Sequence, residues 1–213
     1  MTEAAATAAT AAAKKEETEE AASPSEAEQD RADACVCEAA ALLARNDVAG
    51  AVAALRAALD ACADAAAALL LLRMVCMCDP ARVAAAGAPP DVLQRRLDRA
   101  PDARYARAEA LLAAHAPAAV ACEEDRVWAV LRGAWLAGMR GRPADALACY
   151  RAAAAEGAEG AVLVRSIACT NTGAVLEQLA APGTPSAEAA RWYDAGAALG
   201  NSVAQLNLSL IHI

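Results

Sequence analysis

The sequence predicts an all-α protein, and three observations carry that prediction. Hydrophobic residues make up 58% of the 213-residue chain, yet only 3% of residues are aromatic and phenylalanine is absent, so the excess is alanine. Alanine is the strongest helix former and buries little area, which favours helices packed at close range. No apolar–polar alternation of useful length marks a strand, and glycine and proline cut the chain into pieces of helix length.

Residues 1–30 hold no large apolar side chain after Met1 and are rich in alanine and glutamate. They have no face to bury, so a disordered acidic tail is expected. The tail lacks the basic and hydrophobic regions of a secretory signal, and it is too acidic for a transit peptide. A first helix is expected over Cys35–Ala44, after which Asn46-Asp47 caps a second from Val48 to about Ala61. Pro80, Gly87, Pro89-Pro90, Pro101 and Pro117 segment the middle into further helices. A helix over Trp128–Met139 follows, and Gly141-Arg142-Pro143 and Gly157 bracket the next. Val162–Leu179 reads as one long helix. Thr184 as N-cap, with Pro185 at the first helical position, starts another that Gly200 stops.

Three of these helices superpose. Ala51, Leu55 and Ala58 share the spacing of Ala146, Tyr150 and Ala153, and of Ala189, Tyr193 and Gly196. A small residue, a large one four later and a small one at seven lie along one helix face. The second and third segments add a small residue at eight, Ala154 and Ala197, where the first has Leu59. Each segment resembles the second helix of a tetratricopeptide-type hairpin. Leu131-Arg132-Gly133-Ala134-Trp135, on the helix before Tyr150, loosely resembles the Leu-Gly-x-x-Tyr of that family, and Asn171-Thr172-Gly173 precedes Tyr193 more loosely still. The last stretch adds Trp192 before Tyr193, a Gly200-Asn201 stop, and Ala204-Gln205 opening another apolar run. From Ala146 to Ala189 the spacing is 43 residues, longer than the ~34 of a tetratricopeptide repeat. In all this the chain is similar to the Sel-one-like repeat family, a longer-looped relative. The resemblance implies a right-handed α-solenoid of antiparallel helical hairpins. Degenerate repeats are expected over residues 31–123 and Sel-one-like repeats over 124–213.

Leu208–Ile213 is what CTG TCT CTT ATA CAC ATC encodes, which looks like a transposon-end adapter. On that reading the natural chain continues past Asn207 and the repeats are truncated; as an ordinary apolar helix, Leu208 fits the family's leucine.

The function classes narrow by exclusion. A net charge of −8 argues against a general electrostatic grip on nucleic acid or anionic membrane. The longest apolar runs, such as residues 65–72, fall short of the ~20 residues that span a bilayer. Eight irregularly spaced cysteines read as thiols in a reducing compartment, so cytoplasmic localisation is expected. Cys35-Val36-Cys37 and Cys76-Met77-Cys78 together could supply four thiolates to zinc, but residues two apart on a helix diverge by about 200°, and buried small hydrophobes are the simpler account. His115 is the one base available to a nucleophile besides His212, and it sits at a helix end where an imidazolium suits the dipole. Phosphate-cradling glycine motifs are absent. No catalytic residue, metal ligand or cofactor site is therefore assigned.

Arg95, Arg96, Arg99, Arg104 and Arg107 form the one basic cluster, suited to an acidic peptide or to the chain's own acidic tail, or else a solvated face. Glu123-Glu124-Asp125 reads as the acidic first turn of a helix. The function expected is a non-enzymatic adaptor that binds a peptide or helix of another protein. Arg132, Trp135, Arg165 and Asn171, on first helices of the hairpins, are the contact candidates, although the scarcity of large apolar residues also makes Trp135 a core residue. The alternative is the helical regulatory or substrate-recruiting arm of a larger enzyme or ubiquitin-ligase component.

Overall fold

The computed structural model describes residues 23–78, 86–117, 119–155, 161–181 and 186–211. Among these residues there are ten α-helices and no strand. In chain order they are α1 (Glu26–Ala44), α2 (Val48–Ala61), α3 (Ala66–Cys78), α4 (Pro90–Asp98), α5 (Asp102–His115), α6 (Glu123–Ala134), α7 (Pro143–Ala154), α8 (Val162–Leu179), α9 (Ala187–Ala198) and α10 (Ser202–Ile211). A π-helical turn, Trp135–Met139, extends α6.

The first correction concerns the acidic tail. Residues 1–22 lie outside the described residues, but Glu26–Asp30 are helical and not tail. A capping box starts α1 nine residues before Cys35: Ser25 Oγ accepts from the Glu28 amide at 3.3 Å, and the Glu28 carboxylate accepts from the Ser25 amide at 2.7 Å. Ala32, Val36, Ala39, Ala40 and Leu43 then line one buried face. The bounds of α2 and α8 agree with those expected, and Asp47 caps α2 by accepting from the Gly50 amide at 2.9 Å.

The start of α9 differs. Its N-cap is Ser186, whose hydroxyl accepts from the Ala189 amide at 3.1 Å, while Thr184 and Pro185 lie outside the described residues. Gly200, at φ +86°, turns the chain from α9 into α10 in the left-handed region that favours glycine.

Consecutive helices pack together in two runs, α1 to α4 and α5 to α10. Ala51, Leu55, Ala58, Ala146, Tyr150, Ala153, Ala189, Tyr193, Gly196 and Ala204 are all buried, and Trp192 and Ala197 are half-buried. The two tyrosines do the same job. A Cβ built at Gly133 of α6 would lie 2.7 Å from the Tyr150 ring, and one at Gly173 of α8 would lie 2.7 Å from the Tyr193 ring. In each hairpin a ring on the second helix fills the notch left by a glycine on the first.

The two runs are not independent. Helix α1 packs on α6, and α3 lies against α1, α6, α8 and α10. Apart from Arg73, helix α3 is apolar on all sides, with eleven of its thirteen residues buried, as a helix enclosed by others requires. Asn201 ties the end of the chain to it. Its Nδ2 donates to Cys78 Sγ at 3.1 Å and Ser166 Oγ at 3.3 Å, while its Oδ1 accepts from the Val203 and Ala204 amides and caps α10. Asn201→Ala removes the cap and strands these buried groups, so a loss of about 1–2 kcal/mol is expected, measured by chemical unfolding.

The basic cluster turns inward. Arg104 Nε meets Asp64 Oδ1 at 2.9 Å with the arginine buried, Arg107 Nε meets Asp33 Oδ2 at 2.7 Å and its Nη2 pairs with Asp30, and Arg96 donates to the Ala63 carbonyl. Arg95 pairs with Asp91 on the surface. The cluster is mainly a set of tertiary ties, because carboxylates from α1 and the α2–α3 loop fold against it.

Candidate functional site

A cleft of about 390 Å³ opens between α3 and α4 on one side and the π-helical turn and α8 on the other, with Tyr150 of α7 and Val203 of α10 also on its walls. Arg73 and Met77 are the two residues of α3 that are not fully buried, and both line it. They stand one helical turn apart, so they share a face. Met74 and Met139 line it too. The chain has four methionines, and all three beyond Met1 meet here.

The polar groups are few and specific. Burial pulls the Arg73 guanidinium below its usual range against the opposing influence of Asp98 and Tyr150, and its buried Nε has no hydrogen-bond partner. Asp98 itself is exposed and accepts from the Gln94 side chain at 2.6 Å. Burial holds Tyr150 well above the ordinary phenol range, opposed by a hydrogen bond with Asn171. The π-helical turn is pinned from outside by Glu109, which accepts from Arg140 Nε at 2.7 Å and Trp135 Nε1 at 3.3 Å. Such turns widen a helix by one residue and recur at functional sites.

The four contact candidates do not assemble into one surface. Asn171 lines the methionine cleft. Arg132 is exposed in a separate cleft beside Pro117 and Cys149. Arg165 is half-buried on α8, with its Nε enclosed and without a hydrogen-bond partner. Trp135 is 3% exposed and tilts against Tyr105 with ring centroids 5.8 Å apart, so the core role is the one the structure gives it. Arg73 and the three methionines were not singled out in the sequence. The signal available was a lone arginine within Leu69–Val75, followed by methionines three residues apart.

A second cluster joins α1, α5 and α6. Cys37 Sγ lies 3.6 Å from His115 Nε2, and the imidazole stacks on Trp128 with centroids 4.7 Å apart and planes at 17°. Burial, together with Asp33 and Glu124, pushes the Cys37 thiol up, and a neutral thiol is a weak nucleophile near pH 7. Cys78 serves as an acceptor for Asn201, and Cys62 donates to Asp64 Oδ1 at 3.3 Å. Among the described residues no three His, Cys, Asp or Glu side chains converge as metal ligands would, and no helix is long and apolar enough to cross a membrane.

No family model, curated protein or solved structure matches the chain.

Proposed function

We propose that this protein is a non-enzymatic adaptor, a Sel-one-like α-solenoid that holds an apolar segment of another protein in the methionine cleft, without a cofactor. The observation that carries the reading is the convergence of Met74, Met77 and Met139 on one open cleft. Methionine is unbranched and polarizable, so a wall built from it adapts to different apolar side chains. The repeat resemblance implies a binding face lined by the first helices of the hairpins, here α6, α8 and α10. Helix α3 packs against all three, and the cleft is the part beside α3 left open. The irregular cysteine spacing supports a reducing, cytoplasmic setting.

Peptide display against the full chain tests this, read out by NMR of methyl-labelled methionine. Selected peptides are expected to be apolar, to shift the Met74, Met77 and Met139 signals, and to lose affinity for an Ala137→Trp variant that fills the cleft. Peptides that bind both forms alike and leave all three methyls unmoved would remove the cleft from the account.

A further inference from the structure

We propose that the cleft reads a chain terminus: the free α-carboxylate of a partner's last residue pairs with Arg73 while that residue's apolar side chain enters the methionine pocket. The proposal rests on the adaptor reading above and specifies its ligand.

The argument begins with a charge in an unfavourable place. Arg73 is the one charged residue of α3, in a helix whose other twelve residues are alanine, leucine, valine, methionine and cysteine. A guanidinium removed from water needs a countercharge and satisfied donors. Arg73 forms no ion pair with the described residues, and its enclosed Nε has no hydrogen-bond partner. Asp98, on the neighbouring α4, acts on it electrostatically, but its own carboxylate is exposed and engaged with Gln94. The protein thus maintains a partly desolvated cation on an apolar wall, and an incoming carboxylate completes it.

The surroundings select which carboxylate. The chain's net charge of −8 disfavours polyanions such as nucleic acid. The adjacent thioethers of Met74 and Met77 favour an acid with an apolar group close to it. A C-terminal leucine, isoleucine, valine or methionine has that form, whereas aspartate and glutamate side chains within a peptide do not. Gly138 leaves space on the facing wall, since a Cβ built there meets nothing within 4 Å. Asn171, also hydrogen-bonded to Tyr150, lines the cleft and leaves its side-chain carbonyl for the peptide backbone, in keeping with the capture of chain termini by a few fixed polar groups.

Fluorescence anisotropy on the full-length protein tests this with fluorescein-labelled pentapeptides ending in Leu, Ile, Val or Met, each made as the free acid and as the amide. At least one free acid is expected to bind about tenfold more tightly than its amide, the scale of one hydrogen-bonded charge pair. Arg73→Met is expected to abolish that difference while leaving amide binding in place, and Asp98→Asn to strengthen acid binding several-fold. Because Asp98 is exposed, that second variant keeps the test open if Arg73→Met fails to fold. Equal binding of acid and amide would overturn the carboxylate assignment while leaving the cleft as an apolar site. Binding of neither form, in a protein whose methionine methyls also ignore the displayed peptides, would overturn both readings. Tighter binding of laurate, displacing every peptide, would assign the cleft to free apolar acids and overturn the chain-terminus proposal.

Discussion

Gly173→Ala is expected to destabilise the protein by about 1–3 kcal/mol, the cost of forcing extra volume into a packed seam. The sign is the informative part. In an open helix the same change stabilises by roughly 0.5–1 kcal/mol, because glycine loses more backbone freedom on folding than alanine. Here the new methyl would lie 2.7 Å from Tyr193 Cε1, so the ring or the helix must shift. Tyr193 is fully buried, and its hydroxyl donates to Glu177 Oε2 at 2.7 Å, so both ends of the side chain are held. Gly133→Ala meets Tyr150 in the same way. Gly138→Ala is the control, expected to be neutral or slightly stabilising because that position is open. Urea midpoints at constant m separate these outcomes. Combining Gly173→Ala with Tyr193→Leu should return part of the loss, and a purely additive double mutant would deny that glycine and ring form one unit.

The second large effect lies at Arg126. This side chain rises from α6, is 4% exposed, pairs with Glu123 at 3.1 Å, and donates to the carbonyls of Ala153 and Ala155, the latter at 2.8 Å. Those carbonyls belong to the end of α7, where a helix runs out of its own amide donors. Arg126→Ala leaves them without that donor and opens a void, for an expected cost of about 3 kcal/mol, or roughly 6–12 °C in Tm. Arg126→Lys keeps the charge but loses the planar fork by which Nε meets Glu123 while Nη1 reaches the carbonyls, and it should fall between the two. A Tm unchanged in Arg126→Ala would mean that α7 ends satisfactorily without it.

What could be read from the chain and what could not divide along a physical line. Asp47 before α2 and the unbroken run of Val162–Leu179 are local signals, and the helices follow them. The capping box of Ser25 and Glu28 is equally local, but the stretch around it carries no large apolar residue to mark a buried helix face. Pairings between distant segments leave no such trace. Helical spacing identifies a buried face without naming what covers it, so the place of α3 across α1, α6, α8 and α10 was not legible. For the same reason Arg104 and Arg107 read as a patch until Asp64, Asp33 and Asp30 came to meet them. The candidate site is the extreme case, since Met77 and Met139 stand on separate helices and acquire meaning only together.

One feature of the chain's end bears on how the molecule comes apart. In a stack where each unit touches only its neighbours, the terminal unit can melt alone, and disorder spreads inward step by step. The bonds from Asn201 and Ser202 to Cys78 join positions more than 120 residues apart in the chain. Releasing α10 therefore also withdraws partners from the end of α3, the most enclosed helix of the fold. The tenth helix acts as a latch on the third, so the two are expected to unfold together and not step by step.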